Sequence, residues 1–342
     1  MSFRYIEKIP SSEEIVKEYP LDAGLEKVKK ERDALIEGVI LGKSSRILLI
    51  IGPCSADNED SVCEYVSRLS AVQEKVRDKI VVIPRIYTNK PRTNGEGYKG
   101  ILHQPDPNKA PNMLMGLIAL RKMHIRSLRE SGLTAADEML YPENHTYLDD
   151  MLSYVAIGAR SVENQQHRLT VSGLDVPVGM KNPTSGDLSV MLNSIYAAQR
   201  GHIFAYQGYE VSTEGNPLTH AILRGAVNKK GQSIPNYHYE DLTLLCNIYE
   251  KYGLANPMAI IDVNHANSNK KYDEQPRIVH EVLQSMSLSP QIKNMVRGFM
   301  IESYLESGSQ APGGGIYGKS ITDSCLGWGE TERLIYGIAE KV

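Results

Sequence analysis

The stretch "RILLIIGPC" (46–54) decides the fold. Five apolar residues in a row are followed by Gly-Pro and end at Cys54. A short, continuous apolar run bounded by turn residues is typical of a strand buried on both faces, as in a parallel sheet. A second such run, "KIVVIPRIY" (79–87), follows a stretch of helical spacing and leads to Arg85. The two runs predict a repeating strand–helix unit.

The chain carries eight runs of this kind, separated by helical segments. They are RILLIIGPC (46–54), KIVVIPRIY (79–87), TAADEML (134–140), YVAIGAR (154–160), PVGMKN (177–182), HIFAYQG (202–208), MAIIDVNHAN (258–267) and VRGFMIESYL (296–305). Eight strands, each followed by a helix or a long crossover, predict an α/β fold, a (β/α)8 TIM barrel. An open, doubly wound sheet is the structural alternative.

Helix signals fill the gaps between the runs. The segment 112–132 has apolar residues at helical spacing and ends at Gly132, while 185–201 opens at Ser185 and ends at Gly201. Further helices are expected over 240–253, 276–286 and 330–342. Two helical patterns precede the first strand. We therefore expect an N-terminal helical extension over 1–45, with oligomeric or regulatory contacts, and a catalytic barrel over 46–342.

Composition limits the classes of function. The 342 residues carry a net charge of −3, with 41% hydrophobic and 23% charged residues. This balance disfavours a nucleic-acid-binding protein, and no apolar stretch is long enough for a signal peptide or a transmembrane helix. Four cysteines without a CxxC pair argue against a disulfide scaffold. We expect a cytoplasmic protein without nucleic-acid or membrane partners.

Polar residues stand at the ends of the eight runs. Chemistry in a barrel takes place at the C-terminal ends of the strands. Each residue alone has an ordinary explanation, such as a surface arginine or a buried cysteine. Independent surface residues would not all be expected at the same end of the barrel. Eight polar strand ends at one mouth therefore indicate a functional site.

Six of these residues or their neighbours are cations. They are Arg85, Lys90, Arg92, Arg160, Lys181 and Arg224. Crowded like charges repel, so such a cluster indicates anionic ligands, and guanidinium groups match phosphate and carboxylate oxygens. The number of cations suggests two phosphorylated substrates.

A second group consists of Cys54, His265, Glu302 and Asp323. Mixed sulfur, nitrogen and oxygen ligands suit a divalent transition metal and not Ca²⁺. We expect one ion, with Mn²⁺ placed ahead of Fe²⁺, Co²⁺ or Zn²⁺. A buried polar cluster without metal is the alternative reading of these four residues.

Residues 313–320, "GGGIYGKS", match the P-loop pattern GxxxxGKS. A P-loop requires a strand directly before it and a helix directly after it. Here a proline-containing segment precedes the motif, and the next helix signal begins at 330. We interpret the stretch as a glycine-rich loop over the mouth that brings Asp323 to the site.

Several motifs together resemble type I 3-deoxy-D-arabino-heptulosonate-7-phosphate (DAHP) synthase, in its feedback-regulated enterobacterial branch. They are "IGPCS" (51–55), "NKPRT" (89–93), "GAR" (158–160), "QHR" (166–168), "GMKN" (179–182), "ILRG" (222–225), "DVNHANSNK" (262–270), "IES" (301–303) and "YGKSITDSCLGW" (317–328). The resemblance implies a barrel that condenses phosphoenolpyruvate with erythrose 4-phosphate, the first step of the shikimate pathway.

The resemblance also implies roles for individual residues. Cys54, His265, Glu302 and Asp323 would be metal ligands. Arg85, Arg160, Lys181 and Arg224 would hold phosphoenolpyruvate, and Glu138 would line its pocket. Arg92 and Thr93 would hold the sugar phosphate. Lys90 would stand between the substrates as proton donor.

Other interpretations stay open at this point. The sister reaction with arabinose 5-phosphate is the second enzymatic one, although "NKPRT" weighs against it. A phosphosugar-binding sensor has little need of a metal set. The effector is phenylalanine, tyrosine, tryptophan or none, and the assembly is a homodimer or homotetramer. We further expect metal-free protein to oxidise to a Cys54–Cys325 disulfide.

Overall fold

The computed structural model describes residues 2–92 and 95–342. Its strands, in chain order, are β1 (Ile47–Gly52), β2 (Ile80–Pro84), β3 (Ala135–Glu138), β4 (Leu152–Ile157), β5 (Val178–Lys181), β6 (Ile203–Tyr206), β7 (Tyr209–Ser212), β8 (His220–Leu223), β9 (Ala226–Val227), β10 (Ser233–Ile234), β11 (Ala259–Asp262), β12 (Val296–Glu302), β13 (Glu306–Ser309) and β14 (Lys319–Ser320).

The helices alternate with these strands. They are α1 (Ser12–Glu18), α2 (Ala23–Ile40), α3 (Glu59–Val76), α4 (Met113–Ser131), α5 (Pro142–His145), α6 (Gln165–Val171), α7 (Leu188–Ala198), α8 (Tyr239–Tyr252), α9 (Gln275–Leu288), α10 (Pro290–Met295) and α11 (Trp328–Ala339). No helix in the described residues is long and apolar enough to cross a bilayer.

Eight strands form one parallel sheet in the order β2-β1-β12-β11-β8-β5-β4-β3. Its two outer strands, β2 and β3, meet through a single parallel bridge between Arg85 and Ala136. The bridge is made by the Ile86 N–H, which donates to the Ala136 carbonyl at 3.0 Å. The sheet is therefore a nearly closed barrel, which confirms the predicted (β/α)8 fold over the open sheet.

Two apolar layers hold the barrel together. Side chains such as Leu48, Ile83 and Ile260 fill its interior, and a larger cluster lies between the strands and the surrounding helices. Helix α2 adds Ile36 and Val39 to the interior cluster. The Arg32 guanidinium of the same helix donates to the Val82 carbonyl. Helix α2 thus packs against the barrel core, whereas residues 2–9 are exposed.

The sixth barrel strand differs from our prediction. We expected HIFAYQG (202–208), but β6 is largely exposed and pairs antiparallel with β7 in a separate hairpin. The barrel position belongs to β8, which is fully buried and lies between β5 and β11. Four residues give too short an apolar run to stand out, whereas the aromatic hairpin has strong strand propensity.

The predicted helices are present, with different ends. Helix α4 ends at Gly132, whose φ of 67° is the left-handed conformation that glycine adopts easily. Helix α7 is capped by the Asp187 carboxylate and not by Ser185, and it ends at Ala198, before Gly201. Within "GGGIYGKS", residues 319–320 form a strand paired with β13, and no helix follows directly. The P-loop interpretation is excluded by this context.

Candidate active site at the barrel mouth

A cavity of about 580 Å³ opens at the C-terminal ends of the barrel strands. It is lined by eleven of the residues singled out from the sequence, which are Cys54, Arg85, Lys90, Arg92, Glu138, Arg160, Lys181, Arg224, His265, Glu302 and Asp323. Thr93, the remaining candidate, lies outside the described residues. The volume is in the range of small-molecule sites.

Three of the four predicted metal ligands converge. Ligand atoms of Cys54, Glu302 and Asp323 all lie within 4.8 Å of one another. Cys54 follows β1, Glu302 ends β12 and Asp323 comes from the loop after β14. His265 stands beside them, with Nε2 3.9 Å from Glu302 Oε1. Its backbone has a φ of 48°, uncommon for a residue with a side chain and typical of functional positions.

Lys90 lies at the centre of this group. Its Nζ is 2.6 Å from Cys54 Sγ and 2.9 Å from Asp323 Oδ2. Burial alone would lower the pKa of Lys90, but the Cys54, Asp323 and Glu302 charges raise it. Burial raises the pKa of the Cys54 thiol to about 11, with Glu302 acting in the same direction and Lys90 against it. The acidic side chains therefore face a positive charge.

A divalent cation fits this set of residues. Sulfur and carboxylate donors from three separate segments lie within 4.8 Å of one another, and the His265 imidazole lies beside Glu302. The group that meets them there, Lys90, is itself a cation. Bound metal would compete with Lys90 for Cys54 and Asp323. The donor types favour a transition metal over Ca²⁺ or Mg²⁺.

Two of the predicted cations are already paired with buried carboxylates. Arg85 Nη2 lies 3.1 Å from Glu302 Oε1, and both side chains are buried. Lys181 Nζ lies 3.2 Å from Asp262 Oδ2. Each pair offsets part of the cost of burying its charges. Arg85 still has two nitrogens, Nε and Nη1, without a hydrogen-bond partner among the described residues.

Arg160 and Arg224 differ from these pairs, because within the described part of the chain neither has a carboxylate partner. Arg224 is almost buried, and its Nη1 makes no hydrogen bond to any described residue. Burial lowers the pKa of Arg224, and the nearby Arg160 charge lowers it further. A buried donor without a partner is costly, so this edge of the cavity is suited to an anionic group.

Glu138 faces the cavity because its neighbour is a glycine. A Cβ atom on Gly158 would lie 2.3 Å from Glu138 Oε1. Any larger residue would push the carboxylate away from the cavity wall. The need for space beside the Glu138 carboxylate, at the end of β3, explains the glycine of the "GAR" motif (158–160).

Our sequence analysis missed three residues of the site. Asp262 ends β11 and contacts both Lys181 and His265, the latter at 2.9 Å between Oδ2 and Nδ1. Asn264 donates to Glu302 Oε2, and Lys270 Nζ lies 3.4 Å from Asp323 Oδ1. All three belong to "DVNHANSNK", in which only the histidine was singled out. The strand-end position of Asp262 was the available signal.

The four cysteines are free and buried. Cys325 lies two residues beyond Asp323, with Sγ 3.6 Å from the Asp323 carbonyl oxygen. The disulfide between Cys54 and Cys325 stays a prediction for the oxidised, metal-free protein.

Comparison with known proteins agrees with this geometry. The model of the DAHP synthetase I family matches residues 22–335. The chain belongs to this family. The matched range contains all eight strands of the barrel.

Two curated relatives cover almost the whole chain. Phospho-2-dehydro-3-deoxyheptonate aldolase of Haemophilus influenzae is 36% identical over 96% of this chain and 90% of its own length. The Trp-sensitive enzyme of that name from Escherichia coli K12 is 34% identical over 98% of this chain and 96% of its own length.

A Phe-sensitive relative and a solved structure extend the comparison. The Phe-sensitive Escherichia coli K12 enzyme is 36% identical over 90% of this chain and 87% of its own. A phospho-2-dehydro-3-deoxyheptonate aldolase structure from Francisella tularensis SCHU S4 superposes with a TM-score of 0.92, at 30% identity, over 100% of this chain and 98% of its own. Relatives with different effectors match about equally well, so identity does not select an effector.

Proposed function

We propose that this protein condenses phosphoenolpyruvate with D-erythrose 4-phosphate and water to give DAHP and phosphate, the first step of the shikimate pathway. It would act as a metal-dependent transferase, a 3-deoxy-7-phosphoheptulonate synthase. One observation carries the proposal. A single cavity holds a convergent Cys54–Glu302–Asp323 set on one side and, on the other, the guanidinium groups of Arg160 and Arg224, which have no carboxylate partner among the described residues.

The anion-binding side would hold phosphoenolpyruvate. Arg160 and Arg224 supply charge that no carboxylate of the described residues pairs, while Arg85 and Lys181 are fixed by their buried carboxylate partners. Glu138 lines the same pocket. Arg92, whose Nε donates to the Tyr98 carbonyl at 2.8 Å, would hold the sugar phosphate together with Thr93. Fixed cations bring together two polyanions that repel each other in water.

The other side would carry the bond-forming chemistry. Cys54, His265, Glu302 and Asp323 would hold a divalent metal, which supplies Lewis acidity to the aldehyde carbonyl. C3 of phosphoenolpyruvate attacks the aldehyde carbon, and Lys90 donates a proton to the resulting alkoxide. Water adds at C2, and the hemiketal then releases phosphate. Lys90 fits this role because it lies within hydrogen-bond distance of Cys54 and Asp323, two of the proposed metal ligands.

Metal identity, assembly and compartment are part of the proposal. We propose Mn²⁺ ahead of Fe²⁺, Co²⁺ or Zn²⁺, a homodimer or homotetramer, and the cytoplasm. The extension would comprise 1–45 and the catalytic barrel 46–342. Metal analysis of protein purified without chelator and sedimentation of the intact chain test the first two.

The deciding experiment measures phosphoenolpyruvate consumption by EDTA-treated protein, before and after addition of Mn²⁺. Each assay contains either erythrose 4-phosphate or arabinose 5-phosphate. We expect consumption only with erythrose 4-phosphate and only with metal. Consumption with the pentose phosphate instead would establish the sister reaction. No consumption by folded, metal-loaded protein would overturn the proposed activity and leave a phosphosugar-binding barrel.

A further inference from the structure

The seam between β2 and β3 is where the barrel closes, and its backbone pairing ends early. After the Ile86–Ala136 bond, a regular parallel ladder would continue from the Thr88 N–H to the Glu138 carbonyl. The Glu138 carbonyl instead accepts from the Leu140 N–H at 2.9 Å. The Thr88 N–H donates to a side chain, Asp137 Oδ1, also at 2.9 Å.

Asp137 makes three hydrogen bonds at this seam. Besides the Thr88 N–H, its carboxylate accepts from the Thr88 hydroxyl and from the Glu138 N–H, the latter at 2.7 Å. Thr88 is fully buried, and Asp137 is nearly so. Both Thr88 donors thus end on one side chain from the neighbouring strand.

Burying this carboxylate is costly. Burial raises the pKa of Asp137 to about 7, against the hydrogen bonds from Thr88 that lower it. No lysine, arginine or histidine among the described residues pairs with it, and the neighbouring Glu138 charge raises the pKa as well. A buried carboxylate that has hydrogen-bond donors but no cationic partner among the described residues is a departure from good packing, and such departures are expected where function requires them.

The segment held by Thr88 leads directly to the active site. Lys90 lies two residues further on, and Arg92 lies four. The return of the same loop is tied to this point, because the Leu102 N–H donates to the Thr88 carbonyl at 3.2 Å and the Lys90 N–H donates to the Lys99 carbonyl at 3.0 Å. Thr88 is therefore the root of the loop that carries Lys90 and Arg92.

We propose that Asp137 is a positioning residue that fixes Thr88 and thereby the loop with Lys90 and Arg92, so that it controls use of the aldehyde substrate. Arg160, Lys181 and Arg224 lie after or at the ends of other strands and are not held by this contact. Glu138 contacts Asp137 through its backbone N–H, while its carboxylate lies against Gly158. Loss of Asp137 should therefore impair use of the sugar phosphate more than use of phosphoenolpyruvate. The inference rests on the proposed function.

The test compares Asp137→Ala, Asp137→Asn, Thr88→Val and Thr88→Ser, with KM measured separately for each substrate. We expect Asp137→Ala to raise KM for erythrose 4-phosphate about tenfold and to lower kcat, with KM for phosphoenolpyruvate changed less than about twofold. Thr88→Val should give a smaller effect of the same kind. Asp137→Asn should give an intermediate KM for erythrose 4-phosphate. Thr88→Ser, which keeps the hydroxyl, should have the wild-type KM.

Val282→Ala is the matched control for stability alone. Val282 is buried on α9, which packs against α10, α11 and β12, away from the seam between β2 and β3. The control should lower the melting temperature and leave KM for both substrates unchanged. If Asp137→Ala behaves like Val282→Ala, or raises both KM values equally, the positioning role is wrong. Inactive wild-type protein would refute the proposed function instead. If Asp137→Ala does not fold, the Thr88 pair decides the question.

Discussion

Two pairs of neighbouring barrel strands, β1–β12 and β2–β3, are joined differently, and each junction is called a seam below. Strands β1 and β12 pair over five register positions, from Leu48–Gly298 to Gly52–Glu302. Strands β2 and β3 share one bridge, after which the side chain of Asp137 replaces the main-chain ladder. The first seam delivers Cys54 and Glu302, and the second delivers the loop with Lys90 and Arg92. Two of the proposed metal ligands thus follow a regular backbone ladder, whereas the loop proposed for the second substrate begins where a side chain takes over from the ladder.

The largest effect on activity is expected at the β1–β12 seam, from which Cys54 and Glu302 come. Cys54→Ala should reduce kcat by about a thousandfold or more, because loss of a ligand removes several kcal/mol of transition-state stabilisation. Metal content per chain, measured by atomic absorption, should fall with it. Cys246→Ala removes another buried cysteine far along the chain and should change neither quantity. Full metal content and activity in Cys54→Ala would break the assignment of this seam to metal binding.

An intermediate effect is expected at the anion-binding side of the cavity, which belongs to neither of these two strand pairs. Arg224 follows β8 and has a buried nitrogen without a partner among the described residues. Arg224→Gln should raise KM for phosphoenolpyruvate about 10- to 150-fold, the loss of one charge-assisted bond of about 1.5–3 kcal/mol.

Arg224→Lys keeps the positive charge but loses the planar guanidinium group. Its KM for phosphoenolpyruvate should lie between those of wild type and Arg224→Gln. An unchanged KM for phosphoenolpyruvate in active Arg224→Gln protein would move the anion-binding wall elsewhere.

The smallest expected effect is on the pH dependence of stability, and it concerns helix α4, which connects the two strands of the β2–β3 seam. Helix α4 connects β2 to β3 and buries His124, whose Nε2 has no hydrogen-bond partner among the described residues. Burial lowers the pKa of His124 to about 3, and the nearby Arg121 charge adds to this. The unfolded chain titrates near the ordinary value of 6.5, so it binds the proton first as pH falls. His124 therefore destabilises the fold progressively below pH 6.5.

Chemical denaturation of wild type and His124→Leu at several pH values measures this. Relative to wild type, the variant should gain up to about 1.4 kcal/mol of unfolding free energy per pH unit below pH 6.5. Between pH 7.5 and 8.5 the difference should stay constant, which serves as the internal control. A difference that does not change with pH would show that His124 is not buried in its neutral form.

The sequence by itself determined most of the barrel and most of the site. Long β-branched runs such as 46–54 identify buried strands without reference to their neighbours, since burial on both faces requires a continuous apolar stretch. Residues at the ends of such strands must share one mouth, which is why Cys54, Arg85 and Glu302 were found before any contact was known. Gly132 was likewise readable as a helix end from local conformation alone.

Only the tertiary structure decided the features that depend on partners. The four-residue strand β8 is defined by its neighbours β5 and β11, while the more strand-like β6 is excluded because no barrel position remains for it. The contacts of Asp262 with Lys181 and His265 join residues distant in sequence. The same holds for Asp137 and Thr88, which are 49 positions apart. Propensity and periodicity act over a few residues, whereas a hydrogen bond across a seam is fixed by how the whole barrel closes.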